Sequence, residues 1–503
     1  MRRLYLALTV LLCATGLYAR STEEIVANVD SYAAKVRREW HVPGFSLTVV
    51  KGGEVVLSKG YGLKEKSSGG PVDENTVYQI GSVSKSFTAA LMAIMVDEGL
   101  VSWTDRVKDI LPDFSLADKG IEEVVEVRDL MTHKLGFKGQ AGTYLPNVGY
   151  SRDDVARMMS LVQPAYGFRE GLHYNNMTFL WAMQIIEKVS GKSWEENLRT
   201  RIFEPLGMTT ASCNKEGFLA SENRASQHDY TRGKDSARVV VLKGESRALH
   251  WLTVVGPAGG INCSAADLAK WAEFHRRMGL APDGSRLISY KQMQYLHNGY
   301  SISSQTDNMI KLYGHCWYVE QNDKYRVYYH TGTTWGHTAL CVFMPQLELS
   351  IAMLFDAEVP NGPRFAIMRR VIDLYLGEPD TDYSASEYRK WLSGGGGGSG
   401  SGTGWTIKYS SAVPASSALV GRYTKEEPFG DAVISISDGK LYITVGKEGW
   451  KHRLVHIKGN KYQFTSDGHT YPVIFGTDRA SGRISAFEIN WGCGERLGSW
   501  NKE

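Results

Sequence analysis

Gln79-Ile80-Gly81-Ser82-Val83-Ser84-Lys85-Ser86-Phe87-Thr88-Ala89-Ala90-Leu91-Met92-Ala93-Ile94-Met95 is the stretch that decides how this 503-residue chain is read. Phe87, Leu91, Ile94 and Met95 recur at helical spacing and predict a helix with one buried side. That places Ser82 at the first turn, with Lys85 three residues on and therefore on the same face. A lysine taken out of water next to other cations gives up its proton readily, so Lys85 is positioned to activate the Ser82 hydroxyl. The helix N-terminus also favours negative charge developing at the reacting centre. Taken alone, Ser-x-x-Lys equally describes an exposed helix start, and it recurs at Ser212–Lys215 and Ser437–Lys440.

Two further stretches shift the balance. Tyr174-Asn175-Asn176 follows Arg169-Glu170-Gly171 in a loop ahead of a helix. A tyrosine hydroxyl beside a lysine can relay a proton to a leaving group, and the Asn176 amide can hold a substrate carbonyl. Tyr174 read alone is also an ordinary packed aromatic. His330-Thr331-Gly332-Thr333 stands at the end of an alternating strand, Tyr325–His330. Gly332 would let a ligand approach the backbone, so that the Thr333 amide pairs with the Ser82 amide as an oxyanion hole. A lone histidine at a strand end also has a purely structural reading.

In order and spacing, the three stretches together resemble the serine β-lactamase and penicillin-binding protein superfamily. The Tyr-x-Asn form of the second motif resembles the branch holding class C β-lactamases, DD-carboxypeptidases, D-aminopeptidases and related esterases. The resemblance runs from about Ile25 to Leu376 through Val42-Pro43-Gly44-Phe45, Leu130-Met131-Thr132-His133, Pro205-Leu206-Gly207-Met208 and Pro257-Ala258-Gly259-Gly260. It implies an α/β (α+β) sandwich, an antiparallel sheet flanked by helices, with an all-helical lobe and the site between them. By position it implies Ser82 as nucleophile, Lys85 as its base and Tyr174 as general acid/base. Asn176 becomes the substrate amide contact, and His330-Thr331-Gly332 the substrate-lining strand. Two departures stand out: His330 where many β-lactamases carry lysine, and Leu135-Gly136 in place of the commoner Ser-Gly. The histidine moves weight towards peptidases and esterases.

Outward from these motifs the chain divides into four parts. Arg2 and Arg3, the apolar run Leu4–Leu12 and Ala19 predict a signal peptide over 1–19, and so export to the periplasm or the exterior. Cys13 is a poor lipidation site because Leu12 precedes it. Residues 20–392 form the hydrolase domain. Strand-like runs at Phe45–Val50 and Val55–Leu57 flank Gly52-Gly53, helices fill the middle, and strands return at Thr338–Phe343 and Leu349–Phe355. Residues 393–404 are a Gly/Ser linker. Residues 405–503 alternate in short runs around turns such as Asp438-Gly439 and predict a small all-β barrel or sandwich, similar to the lipocalin-like domains appended to such hydrolases.

The composition is ordinary for a globular protein, at 43% hydrophobic and 22% charged, which argues against disorder. A net charge of +3 from 57 basic and 54 acidic residues gives no reason to expect nucleic acid as a partner. After leader removal, Cys213, Cys263, Cys316, Cys341 and Cys493 have neither disulfide nor zinc-ligand spacing, and no later segment is apolar enough to span a membrane. No metal and no organic cofactor is expected. The expected substrates are small molecules or peptides, led by D-amino-acid peptides and peptidoglycan fragments cleaved through an acyl-enzyme on Ser82. A β-lactamase or carboxylesterase of the same mechanism is the alternative, and a non-catalytic penicillin-binding or sensor module is a further one.

Overall fold

The computed structural model describes residues 20–242, 248–394, 405–466, 469–478, 480–491 and 497–503. The expected leader, the Gly/Ser stretch from 395 onward and Cys493 lie outside the described residues.

The first helix, Thr22–Glu39, begins at Ser21, whose side chain accepts from the Glu24 amide while the Glu24 carboxylate accepts from the Ser21 amide. This reciprocal cap satisfies two amides that a helix start leaves unpaired. Ile25, Val29, Tyr32 and Val36 are buried, as their spacing predicts.

Among the described residues, eight antiparallel strands make the main sheet. They are β1 (Gly44–Lys51), β2 (Glu54–Gly62), β3 (Ser301–Thr306), β4 (Met309–Tyr313), β5 (Tyr318–Asn322), β6 (Arg326–Thr334), β7 (His337–Met344) and β8 (Leu349–Phe355). The spatial order is β2-β1-β8-β7-β6-β5-β4-β3. The N-terminal hairpin thus joins the C-terminal strands at β1–β8, with Phe45 opposite Phe355. β7 and β8 are buried along their whole length because helices cover both faces. Phe45, Leu47, Ile351, Met353 and Phe355 cluster with Val36, Ile367 and Val371 of two helices on one side. Ala339, Cys341, Phe343, Ala352 and Leu354 cluster with Trp271 and Phe274 on the other. That alternation is the period-two signature of a strand.

β3, β4 and β5 have no counterpart in the sequence reading. β3 is exposed beyond Ser301, so the apolar alternation that betrays a strand is missing there. β6 also continues to Thr334, so His330-Thr331-Gly332-Thr333 lies within the strand rather than past it. Beside the sheet sits the helical lobe. Its centre is the helix Ser84–Asp97, whose residues are buried from Ser84 to Met95, packed on the helix Thr178–Ser190. The latter ends at Gly191 with φ 69°, the left-handed residue that closes helices. Leu135, the departure from Ser-Gly, is buried in this lobe.

The C-terminal residues form a nearly closed barrel of nine antiparallel strands between Gly421 and Lys502. Asp438 and Gly439 both have positive φ (51° and 69°), which joins two of these strands by the tight turn that suits strand twist. Tyr423, Ile443, Phe475, Phe487 and Trp500 fill its interior. Among the described residues, no helix is long and apolar enough to cross a membrane.

Candidate active site

Ser82 sits in a single 3₁₀ turn, Gly81–Val83, that feeds directly into the helix Ser84–Asp97. Strand β6 presses against this turn. Gly81 has φ +51°, and a Cβ there would lie 2.7 Å from the Thr333 amide nitrogen. A Cβ on Gly332 would lie 1.8 Å from the Ile80 carbonyl oxygen and 3.2 Å from the Ser82 nitrogen. Gly332 is therefore glycine because the protein's own backbone comes so close, a different reason from the ligand approach expected from the sequence. The same packing brings the Thr333 amide alongside the backbone of Gly81 and Ser82. Gly332→Ala must push β6 off the turn that carries Ser82. It should abolish covalent labelling of Ser82 by a fluorophosphonate and cost at least ~1–3 kcal/mol of stability, as overpacked cores do; intact mass and thermal unfolding check both.

Lys85 is fully buried behind Ser82. Its Nζ lies 2.6 Å from Asn176 Oδ1, 2.9 Å from the Ala258 carbonyl oxygen and 3.1 Å from Ser82 Oγ. Burial pulls its pKa down to about 7. In the neutral amine, both N–H groups can donate to Asn176 and Ala258, which leaves the nitrogen lone pair facing the Ser82 hydroxyl. Asn176 is held in turn, its Nδ2 donating to Gln140 Oε1 and Thr143 Oγ1, each at 3.2 Å. Its oxygen thus faces Lys85 while its other side borders the cleft. Tyr174 stacks over the lysine, Nζ lying 4.7 Å from the ring centroid. Burial holds the Tyr174 hydroxyl well above its ordinary pKa, and Ser82 partly relieves it.

His330 belongs to a chain of hydrogen bonds that the sequence does not announce. The Asn175 amide donates to His133 Nδ1 at 3.1 Å, so a neutral His133 carries its proton on Nε2. That Nε2 lies 3.2 Å from Tyr313 Oη, which lies 3.1 Å from His330 Nε2. His330 Nδ1 lies 2.7 Å from the Thr331 carbonyl oxygen and must be the protonated nitrogen. One direction satisfies every atom: His133 donates to Tyr313, Tyr313 donates to His330, and His330 donates to Thr331. Burial drives the His330 pKa down to about 3 and His133 well below its usual value. At neutral pH His330 offers no positive charge.

These groups open onto a cleft of about 610 Å³ bordered by Ser82, Tyr174, Asn176, His330, Thr331 and Thr333. Gln140, Thr143, Tyr144, Trp251, Tyr318, Asp229, Glu358, Thr334 and Trp335 also line it and carry no motif that sequence reading could use. The barrel contributes His469. Its ring stacks on Tyr144 at 3.8 Å, the Tyr471 hydroxyl donates to the Tyr144 carbonyl, and Ser466 donates to that of Asn147. The barrel is thus seated on the segment that forms one lip of the cleft.

The chain is similar to several known proteins. Over 331 residues the chain is 28% identical to penicillin-binding protein 4 of Amycolatopsis lactamdurans, covering 65% of this chain and 84% of the relative. It is 26% identical over 388 residues to an unguisins hydrolase of Aspergillus campestris, covering 74% of this chain and 69% of that one. In fold it is similar to the octameric penicillin-binding protein homologue from Pyrococcus abyssi, with a TM-score of 0.62 at 21% identity over 95% of this chain and all of that one. A D-stereospecific amidohydrolase from Streptomyces aligns with a TM-score of 0.54 at 19% identity, covering 69% of this chain and 97% of its own. Residues 29–376 match the family described as Beta-lactamase, and the chain belongs to that family, within the β-lactamase and penicillin-binding protein superfamily of serine hydrolases.

Proposed function

We propose that the protein is an exported serine hydrolase, acting in the periplasm or outside the cell, that cleaves peptides of D-amino acids, including peptidoglycan fragments. Ser82 Oγ attacks the carbonyl carbon and its proton passes to Lys85 Nζ. Tyr174 relays that proton to the leaving nitrogen, whose bond to the carbonyl carbon breaks. Water then attacks the acyl carbon, gives its proton to the same pair, and frees Ser82 and the acid. The Ser82 and Thr333 amides receive the charge on the carbonyl oxygen. Asn176 and β6 through His330, Thr331 and Gly332 line the substrate.

The observation that carries this reading is the fully buried Lys85, whose Nζ sits between two carbonyl oxygens and Ser82 Oγ. Among penicillin hydrolases of this superfamily a lysine commonly stands at position 330. Here the residue is a neutral histidine engaged at both nitrogens, a poor anchor for a carboxylate. That favours peptides, and after them short esters, over β-lactams. A relative whose name is D-stereospecific amidohydrolase points the same way.

Comparing kcat/KM for a D-alanyl peptide, a short ester and a chromogenic cephalosporin tests the ranking. The cephalosporin should acylate Ser82 yet turn over most slowly. A cephalosporin rate of about 10⁷ M⁻¹s⁻¹ or more with negligible peptide and ester cleavage would make the protein a β-lactamase.

A further inference from the structure

We propose that Asp229 and Glu358 form a subsite that holds a primary ammonium group of the substrate. The inference rests on the hydrolase reading of Ser82 and names the chemistry of what that site accepts.

Both residues line the same cleft as Ser82. They come from distant parts of the chain: Asp229 lies in the short strand His228–Arg232, and Glu358 follows β8. The Glu358 amide donates to the His228 carbonyl at 3.2 Å, which locks the two segments side by side. Neither carboxylate is ion-paired among the described residues, and no described lysine or arginine lines the cleft wall. The cleft's own histidines do not answer them, since burial lowers the pKa of both His330 and His469. Glu358 is exposed at the mouth, yet the protein crowded around its carboxyl and the neighbouring charge of Asp229 push its pKa up to about 7. A cation placed between the two carboxylates would relieve the cost of keeping Glu358 charged there.

A second observation points to a ligand at the same wall. Thr334 lines the cleft, is only 4% exposed, and its hydroxyl has no hydrogen-bond partner. A buried hydroxyl left unpaired is costly, and a bound ammonium or its neighbouring amide would satisfy it. The cleft therefore presents two negative groups, with an unpaired buried hydroxyl in its wall, and no lysine or arginine to anchor a carboxylate. A substrate with a free amine suits that surface, and one that is anionic there does not.

Calorimetric binding to the Ser82→Ala variant at pH 7 separates recognition from turnover. D-phenylalanine amide, whose amine is mostly charged at that pH, should bind at least about tenfold more tightly than its N-acetyl counterpart. Adding Asp229→Asn and Glu358→Gln should bring that ratio close to one, and the exposed Glu358→Gln alone should lower it. Equal binding of the two compounds, binding of neither at millimolar concentration, or a preference that survives loss of both carboxylates would overturn the subsite. Wild-type protein that binds the amine but is neither labelled at Ser82 nor able to cleave any amide or ester would instead overturn the hydrolase reading and leave the subsite standing.

Discussion

Lys85→Ala and Tyr174→Phe should each lower kcat by about 10³-fold or more, and combining them should cost little beyond the larger single loss. The reason is geometric. Ser82 Oγ stands 3.1 Å from a lysine amine whose other contacts are two carbonyl oxygens, and that amine lies under the Tyr174 ring. Removing the amine leaves the serine without a base. Removing the phenol leaves the proton without a route to the leaving group. Once either is gone, the other has nothing to exchange protons with, so the free-energy losses do not add. Steady-state kinetics on the best peptide or ester of the panel, with intact-mass labelling of Ser82 in each variant, measures this. Near-normal turnover in Tyr174→Phe would return that residue to packing, and label on Ser212 or Ser437 would remove Ser82 from the mechanism.

Much of this site is legible in the sequence because its key pair is local. Ser82 and Lys85 are one helical turn apart, so local geometry alone brings them together, although the helix proves buried on every side from Ser84 to Met95. The Tyr174-Asn175-Asn176 and His330-Thr331-Gly332 stretches are legible through order and spacing. The relay through Tyr313 is not, because its three rings come from positions 133, 313 and 330 and meet only when an unannounced strand, β4, takes its place in the sheet. The reason for Gly332 escapes sequence reading for a related cause. A glycine on a strand says that something approaches, and only the fold shows that it is the Ile80 carbonyl. Asn176 is legible as a polar residue of the site, but its hold on Lys85 depends on Gln140 and Thr143 orienting its amide. The barrel strands can be read from their alternation, whereas the position of His469 in the cleft depends on how the barrel docks on Tyr144 and Asn147.

Lys85→Met should gain stability relative to the wild type as the pH is lowered from about 10.5 to 6, by roughly 4–5 kcal/mol across that range. In the folded protein burial lowers the lysine pKa from its ordinary 10.5 to about 7. The unfolded chain therefore binds an extra proton between pH 7 and 10.5, and wild-type stability rises with pH across that window. Below pH 7 both states are protonated, and the native state carries the full cost of a buried ammonium. At about 1.4 kcal/mol per decade, the fall from 10.5 to about 7 sets the size of the effect. Methionine carries no charge, so its own stability lacks this slope. The hydrogen bonds lost at Asn176 and Ala258 offset part of any absolute gain, but they are lost at every pH and cancel from the trend. The groups facing the amine, Tyr174 and Cys316 with pKa values raised by burial and His330 with its pKa lowered to about 3, are present in both proteins, so their own contributions to the slope cancel from the comparison. The same titration governs catalysis, so wild-type kcat/KM should rise through pH 7 as the amine loses its proton, where Lys85→Met has no activity to rise. Denaturant unfolding of both proteins at pH 6 and pH 10.5 gives the difference. If the stability gap between them is the same at the two pH values, Lys85 is not a neutral amine in the folded enzyme, and the general base must be sought elsewhere.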